Sequence, residues 1–303
     1  MAVGATGNPL VELQYHTPSK GSDTPTGVVL QRFDSAGTSL GDVGPAPSSG
    51  WAPPLSTLEA FADDHFVLTA RFVQNMQETQ LIETGAFTAS SVIPSPSGGN
   101  ALLSATGDDA GDVYASYRTN GNITFPLGGA QSTPYIVKAD KTQATLWTKP
   151  LLGRAELHAD GGGGLYVAGS GPPPSADPGC GVLDPSQGYV GRFDGAGSCL
   201  WRRTIDFESG AITSYDIEAG GPDAAYLGGT FQGTTDLGCG PVTSAAGEHV
   251  LVALDETGAF AWQKAPFDGR FALDPCGAVI AAEACGTCGP NAAAGVTVAK
   301  LAP

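Results

Sequence analysis

YVGRFDGAGSCLW, residues 189–201, is the stretch that decides the fold. An alternating apolar run ends at Asp194, a glycine follows at position 197, and Trp201 comes seven residues after the aspartate. A glycine that can take a positive φ, placed between two strand-like segments, is typical of a tight turn. The stretch therefore predicts a β-hairpin whose second strand carries the tryptophan.

The same pattern, which we call the Asp–Gly–Trp frame, recurs elsewhere in the chain. It returns as VLVALDETGAFAW with Asp255 and Trp262, and as YIVKADKTQATLW with Asp140 and Trp147, where a glutamine replaces the glycine. A further copy, VVLQRFDSAGTSLG, keeps Asp34 but has a glycine in place of the tryptophan. We expect these aspartates to accept hydrogen bonds within their own turns and the tryptophans to lie between neighbouring sheets.

The spacing of the frame predicts a repeat architecture. Successive aspartates at 140, 194 and 255 are 54 and 61 residues apart, and those at 34 and 140 are separated by about two such periods. An earlier hairpin precedes the frame in each unit, as in LHADGGGGLYVAGS, so a unit contains four short strands. The predicted units are 1–48, 54–95, 99–150, 154–206, 212–265 and 269–303.

Units of this kind predict an all-β chain that forms a single β-propeller domain over residues 1–303. Second strands rich in glycine and alanine, such as YVAGS and YLGGT, suit strands that crowd towards a central axis. Six blades are expected, with five or seven as alternatives. The last unit stops before its fourth strand, and we expect the N-terminal segment to complete that blade.

Composition and charge narrow the range of partners. The formal net charge is −16, with 14 Lys and Arg against 30 Asp and Glu, which argues against binding of nucleic acid or of anionic lipid. No apolar run approaches the length of a membrane span. The start, MAVGATGNPL, shows no export signal, but cysteines in Gly- and Pro-rich loops favour an oxidising compartment. We expect a secreted or cell-surface protein of unspecified oligomeric state.

The frame, together with the preceding G-x-Y-[VL]-x-G strand, resembles the SBBP-type β-propeller repeats of bacterial secreted proteins, such as those of myxobacterial surface proteins. The segment from Gly228 to Lys264 carries the resemblance best, and the likeness is weak before residue 96. The resemblance implies a propeller fold and an extracellular compartment, and no particular reaction. The hairpin is also similar to the repeat of pyrroloquinoline-quinone propellers.

The cysteines are candidates for disulfides. Cys180 precedes the third strand of its unit and Cys199 begins the fourth, so a bridge within that unit is expected to contribute about 3 kcal/mol. Cys285 and Cys288 form C-G-T-C without a thioredoxin-like pattern or a second C-x-x-C. A structural bridge is favoured there, either between these two or to another cysteine of the last two units.

Acidic loops offer a weak calcium candidate at Asp108, Asp109 and Asp112. Their spacing does not match the twelve-residue calcium loop, and tight turns use the same residue types, so turn formation is the favoured explanation. The four histidines lack the spacing of a zinc motif, and His158 is expected to be an ordinary residue of an inner strand. We therefore expect no cofactor.

Two classes of function remain. The first is a non-catalytic extracellular binding or scaffold module that recognises a glycan, peptide or protein through loop tips or a channel mouth. Two long inserts, 118–134 and 171–187, could vary there without disturbing the sheets. The alternative is an enzyme that acts in a central funnel, either a quinoprotein-like dehydrogenase or a polysaccharide-cleaving enzyme. The chain contains no G-x-S-x-G elbow, P-loop or dinucleotide fingerprint.

Overall fold

The structure is a computed structural model that describes part of the chain. Its described backbone comprises residues 2–3, 9–15, 27–33, 38–43, 55–60, 65–74, 77–86, 89–94, 101–118, 123–125, 129–131, 135–140, 142, 144–150, 154–170, 179–181, 188–205, 214–219, 224–236, 241–264, 267, 269–273, 279–285 and 295–301. Within these residues the chain forms 25 strands and no helix, which confirms the all-β prediction. No helix in this part of the chain is long and apolar enough to cross a membrane.

The chain divides into two compact units, Met1–Pro150 and Leu151–Pro303. The first unit contains three four-stranded antiparallel sheets and a short extra hairpin. Its strands are β1 (Ala2–Val3), β2 (Pro9–Tyr15), β3 (Gly27–Phe33), β4 (Ser39–Val43), β5 (Leu55–Ala60), β6 (His65–Gln74), β7 (Gln77–Ala86), β8 (Ala89–Pro94), β9 (Ala101–Gly107), β10 (Val113–Arg118), β11 (Ile123–Phe125), β12 (Gly129–Gln131), β13 (Tyr135–Ala139) and β14 (Thr145–Pro150).

The sheets of the first unit follow one another along the chain. We call β1–β4 sheet 1, β5–β8 sheet 2, and β9, β10, β13 and β14 sheet 3. The hairpin β11–β12 lies in the connection between the second and third strands of sheet 3.

The second unit contains two four-stranded sheets and one three-stranded sheet. Its strands are β15 (Arg154–Ala159), β16 (Leu165–Ser170), β17 (Gly188–Phe193), β18 (Cys199–Ile205), β19 (Ser214–Ala219), β20 (Ala224–Asp236), β21 (Pro241–Asp255), β22 (Phe260–Lys264), β23 (Gly269–Leu273), β24 (Val279–Cys285) and β25 (Gly295–Leu301). We call β15–β18 sheet 4, β19–β22 sheet 5 and β23–β25 sheet 6.

We expected the N-terminal segment to complete the last sheet, but its strand β1 belongs to the first sheet. Ala2 and Val3 pair with Leu10 and Pro9, so β1 is the first strand of sheet 1. Pairing with the next strand of the chain closes a short loop, which costs less conformational entropy than a pairing across the chain.

A bulge recurs at the start of the fourth strand. In sheets 1, 3, 4 and 5 the register between the third and fourth strands shifts by one residue just before the residue that precedes the frame aspartate. The extra residue is Leu146 in sheet 3 and Leu200 in sheet 4, and both side chains are about half exposed. A bulge of this kind turns the next side chain towards the opposite face, and in sheets 3 to 5 that side chain is the tryptophan of the frame.

The core of the second unit lies between its sheets. One apolar cluster joins Tyr166, Ala168 and Val190 of sheet 4 to Leu227 and Val252 of sheet 5. A second cluster joins the other face of sheet 5 to sheet 6; its members are Tyr226, Leu251, Ala253, Phe267, Phe271 and Val279. Sheet 5 is therefore covered on both faces, which explains why residues 250–254 of its third strand form a continuous apolar run.

Candidate functional site

Aspartates, three of them from the frame, organise five described tight turns at one end of sheets 3, 4 and 5. In each turn the aspartate Oδ1 accepts the N–H groups of the second and fourth residues that follow, at 2.7 to 3.0 Å. The aspartate's own N–H donates to the carbonyl of that fourth residue. The turns begin at Asp108, Asp140, Asp160, Asp194 and Asp255. Two of these, at Asp108 and Asp160, join first and second strands, so the same turn is used twice in sheets 3 and 4.

The hydroxyl of Thr257 adds a further hydrogen bond in the last of these turns. It donates to Asp255 Oδ1 at 2.7 Å. This bond, together with that from the Ala259 N–H, lowers the pKa of Asp255. The carboxylate therefore stays ionised, and able to accept all of these bonds, to lower pH than an ordinary aspartate.

Each tryptophan of the frame packs on a tyrosine of the second strand in its own sheet. The ring centroids lie 5.9 to 6.1 Å apart and the rings are tilted by 53 to 59°. The pairs are Tyr114 with Trp147, Tyr166 with Trp201, and Tyr226 with Trp262. Tilted pairs at this separation are favourable beyond the area that they bury.

Trp201 also joins sheet 4 to sheet 5. Its Nε1 donates to the Glu256 carbonyl at 2.8 Å, and Nε of Arg203 donates to the Gly258 carbonyl at 2.9 Å. Gly258 has φ +75°, and a Cβ there would lie 2.5 Å from the Trp201 ring. The glycine of the frame is thus required both for the turn and for the close approach of the neighbouring tryptophan.

A buried ion pair underlies the first turn of sheet 4. Nη2 of Arg192 on β17 lies 2.8 Å from Oδ2 of Asp160, and the side chains are only 14% and 3% exposed. The guanidinium carbon also lies 5.3 Å from the centre of the Tyr166 ring. The other carboxylate oxygen caps the turn, so Asp160 ties the third strand to the turn between the first two.

Sheet 3 has the same arrangement with a lysine, at the predicted calcium candidates. Lys138 Nζ lies 3.2 Å from Asp108 Oδ2 and 3.1 Å from Asp112 Oδ2, and Tyr114 donates its hydroxyl hydrogen to Asp108 at 3.1 Å. Asp109 is exposed. A calcium ion at Asp108 and Asp112 would have to displace the lysine ammonium.

The two first strands β15 and β19 bring His158 and Glu218 together. His158 Nδ1 lies 3.5 Å from Glu218 Oε2, and both side chains are about one-fifth to one-quarter exposed. Burial lowers the pKa of His158 to about 4, against smaller upward contributions from the Asp160 charge and a hydrogen bond with the Ile217 backbone. The imidazole is therefore neutral at pH 7, so that one ring nitrogen donates a hydrogen bond and the other accepts one.

The structure brings Cys180 and Cys199 together as a disulfide, with their Cα atoms 5.4 Å apart. Cys180 lies in the connection between β16 and β17, and Cys199 is the first residue of β18. Cys285 is the last residue of β24. The predicted positions Asp34 and Cys288 fall outside the described residues.

In sheets 3, 4 and 5 the connections between the second and third strands lie at the other end from the described aspartate turns. In sheet 4 the connection is the insert 171–187, and in sheet 3 it contains β11 and β12. In sheet 5 the two strands themselves continue as a two-stranded arm, in which Phe231 pairs with Glu248 and the Thr234 and Thr243 hydroxyls bond at 2.9 Å. The length of the connection therefore varies at this end, while the five described turns at the other end keep one geometry.

Sequence reasoning missed the buried ion pairs and the tyrosine partners of the tryptophans. The sequence did contain a signal for the two ion pairs, because Lys138 and Arg192 each lie two residues before the frame aspartate. Asp108 and Asp160 likewise both follow the first strand directly. Sheet 5 has Ala253 at the cation position, so the pair is replaced there by apolar packing on sheet 6. Among the described residues no group of three or more His, Cys, Asp and Glu side chains could hold a metal ion.

Comparison with known proteins gives only distant structural likeness. No family model and no curated protein matches the chain. A mutant of the Synechocystis apocarotenoid oxygenase matches with a TM-score of 0.44 and 12% identity, over 84% of this chain and 63% of that one. A structure described as the eukaryotic initiation factor matches with a TM-score of 0.36 and 8% identity, over 79% and 62%. The chain thus spans less than two thirds of either protein, and we assign no site from them.

Proposed function

We propose that the chain is a non-catalytic binding or scaffold module built on a six-bladed β-propeller. It would recognise a glycan, peptide or protein through the variable connections between second and third strands. The observation that carries this proposal is the contrast between the two ends of sheets 3 to 5: the described aspartate turns at one end share one geometry, and the connections at the other end differ in length. Loops that vary on a constant scaffold are where proteins usually place recognition.

Several features support the propeller architecture. The six sheets succeed one another along the chain, and each consists of consecutive strands, apart from the hairpin inserted in sheet 3. In the second unit sheets 4, 5 and 6 pack face to face in that order. The first strands β15 and β19 approach each other closely, and Trp201 on the outer strand of sheet 4 reaches the turn of sheet 5. Successive four-stranded sheets that pack face to face suit the radial arrangement of a propeller.

A secreted or cell-surface location accompanies this proposal. The disulfide between Cys180 and Cys199 is of the kind that persists in oxidising compartments. The likeness of the frame to SBBP-type repeats points the same way and stays a prediction, as does the extracellular glycan or protein partner.

An array experiment with a shortened arm tests the binding proposal. Because Phe231 pairs with Glu248, replacing residues 232–247 by Asn-Gly closes the hairpin at that pair. We expect the full chain to bind a saturable partner on a glycan or protein array without turnover, and the shortened variant to lose or alter that binding. A matched variant at the opposite end, Ala196→Ser in the exposed turn of sheet 4, should bind as the wild type does. Equal loss in both variants, or no saturable partner, would contradict the proposal.

The enzyme alternative rests on the His158–Glu218 pair. A neutral imidazole beside a carboxylate on two first strands is a known arrangement for proton transfer. A pKa of about 4 makes this histidine a weak base at pH 7. Dye reduction with an alcohol or sugar, or release of reducing ends from polysaccharides, would favour the enzyme if it disappeared in His158→Gln.

A further inference from the structure

Sheet 6 repeats the first three strands of the other sheets in its unit. The first residue of β24 pairs with Leu301 of β25, as the first residue of β16 pairs with Phe193 of β17 in sheet 4. β25 therefore has the position of a third strand, and in sheets 4 and 5 the third strand is bonded to a strand on each side. Among the residues that the structure describes, no strand pairs with the outer edge of β25.

The open edge of β25 is long and regular. All seven residues of the strand, Gly295–Leu301, pair with β24 without a register shift, and none of them is a proline. The outer strands of sheets 4 and 5 differ, because each begins with a bulge, and in sheet 4 Cys199 is also joined to Cys180. Bulges and covering segments keep other chains from pairing with an edge, so a regular edge without them can accept a further strand.

The fourth strands of sheets 3, 4 and 5 show which kind of strand fits beside such a third strand. All three are antiparallel to the third strand, and they contain basic residues and no acidic residue. Each places a tryptophan opposite the residue two positions before the frame aspartate; the pairs are Lys138 with Trp147, Arg192 with Trp201, and Ala253 with Trp262.

Lys300 has the register position of these three residues in sheet 6. It precedes Leu301 as Arg192 precedes Phe193, and it pairs with the second residue of β24 as Arg192 pairs with the second residue of β16. A strand that joined β25 in the same register would therefore place its aromatic residue opposite Lys300.

We propose that the outer edge of β25 binds an extended, basic peptide with an aromatic residue, which joins sheet 6 as an antiparallel fourth strand. This site is separate from the connections to which the proposed function assigns recognition. Main-chain hydrogen bonds give a complex of this kind its affinity, and alternate side chains give it specificity. The net charge of −16 favours a basic peptide over an acidic one.

A synthetic peptide with the sequence of residues 257–264, capped at both ends, is the probe for the full chain. We expect titration calorimetry to show saturable binding of one peptide per chain. In hydrogen exchange measured by mass spectrometry, fragments that contain residues 295–301 should exchange at least about tenfold more slowly with the peptide bound. Fragments from the outer strand β18 should exchange at an unchanged rate. Absence of binding, or equal protection of both strands, would overturn the proposal.

Modified peptides test the mode of binding without any change to the protein. One isomer carries N-methyl groups at Phe260 and Trp262, and the other carries them at Ala261 and Gln263. Alternate N–H groups of a strand point to opposite sides, so only one isomer loses the donors that face β25. That isomer should bind at least about tenfold more weakly than the other, and equal affinities would exclude strand addition. Replacing Trp262 of the peptide by alanine should weaken binding about threefold to tenfold; an unchanged affinity would exclude the aromatic requirement.

The shortened-arm variant separates this inference from the proposed function. With residues 232–247 replaced by Asn-Gly, the chain should still bind the peptide, although we expect it to lose or alter binding on the arrays. Loss of peptide binding in this variant would place the site on the arm and overturn the inference. Peptide binding without any saturable array partner would support the inference and count against the proposed function. A peptide-free chain that sediments as a dimer with residues 295–301 already protected would also overturn it, because a second copy would then occupy the edge.

Discussion

Asp160 and Asp194 cap the two turns of sheet 4 with the same pattern of hydrogen bonds, yet their surroundings differ. Asp160 is buried and bonded to the Arg192 guanidinium, whereas Asp194 is partly exposed. A buried arginine that loses its carboxylate is left with an uncompensated charge, and that penalty exceeds the loss of a surface cap. The two aspartates are therefore a matched pair for separating capping from charge.

We expect Asp160→Ala to lower the free energy of unfolding by about 3–5 kcal/mol, since it removes the cap and leaves the Arg192 guanidinium without its carboxylate. Asp194→Ala removes only a cap and should cost about 1 kcal/mol. Asp160→Asn keeps an oxygen for the turn and should cost about 2 kcal/mol. Urea unfolding of the three variants measures these differences.

The control is a double-mutant cycle with Arg192→Met. When the arginine is already absent, Asp160→Asn should cost at least about 1 kcal/mol less than it does in the wild type. Additive effects of the two substitutions would show that the pair is not coupled, and the larger cost at Asp160 would then need another cause.

His158 gives a pH dependence of known sign. Burial lowers its pKa to about 4, below the value near 6.5 expected in the unfolded chain. Between these two pKa values the unfolded state therefore binds more protons than the folded state. The free energy of unfolding is at its full value above about pH 6.5 and falls as pH drops towards 4. At pH 4 the titration of His158 should lower the free energy of unfolding by about 3 kcal/mol.

His158→Gln serves as the reference in that experiment, because other carboxylates also titrate in the acid range. Glu218 and Asp160 are the charged groups near the imidazole, and both are retained in the variant. The difference in unfolding free energy between wild type and variant should fall as pH drops from 7 to 4. Curves that stay parallel over this range would exclude a buried neutral histidine.

At the scale of elements, the contact between β18 and the turn after β21 joins one sheet to the next. Gly258→Ala places a methyl group against the Trp201 ring at a position with positive φ. We expect a loss of about 2–4 kcal/mol, from backbone strain and overpacking together, measurable as a lower thermal midpoint.

Gly181→Ala measures the cost of backbone strain alone. Gly181 has φ +89° but no heavy atom lies within 4 Å of its hypothetical Cβ, so this variant should lose only about 1 kcal/mol. In a Trp201→Ala background the cost of Gly258→Ala should fall to a similar value. An unchanged cost there would mean that the tryptophan is not what limits the turn.

The elements were largely predictable because their determinants are local. An aspartate with a glycine three residues later specifies the turn from four or five residues, and an alternating run specifies the strand, as Asp194, Gly197 and Trp201 show. The Tyr166–Trp201 contact and the Asp160–Arg192 pair join residues about 30 positions apart, so they depend on strand register. Register emerges only when repeat units are aligned with one another, and the bulge before each tryptophan shifts that alignment by one residue.

At the scale of the whole molecule, the repeats bury their apolar faces on one another. Sheet 5 shows this most clearly, since Leu227 and Val252 face sheet 4 while Tyr226 and Leu251 face sheet 6. A sequence pattern can show that a sheet is apolar on both faces. It does not show whether the row of sheets closes into a ring, because closure depends on a small angle between neighbours that is added at every step.

Removal of sheet 6 distinguishes a ring from an open row of sheets. In an open row each sheet depends on its neighbours alone, so deletion of residues 269–303 would leave sheets 1 to 4 with most of their stability. In the propeller that we propose, the same deletion uncovers Tyr226, Leu251 and Phe267 and also breaks the ring. The remaining sheets should then no longer unfold in one cooperative transition. The variant with residues 232–247 replaced by Asn-Gly removes part of sheet 5 without opening the ring and should melt cooperatively. Circular dichroism melting of both variants makes the comparison, and a deletion variant that still melts in one sharp transition would contradict ring closure.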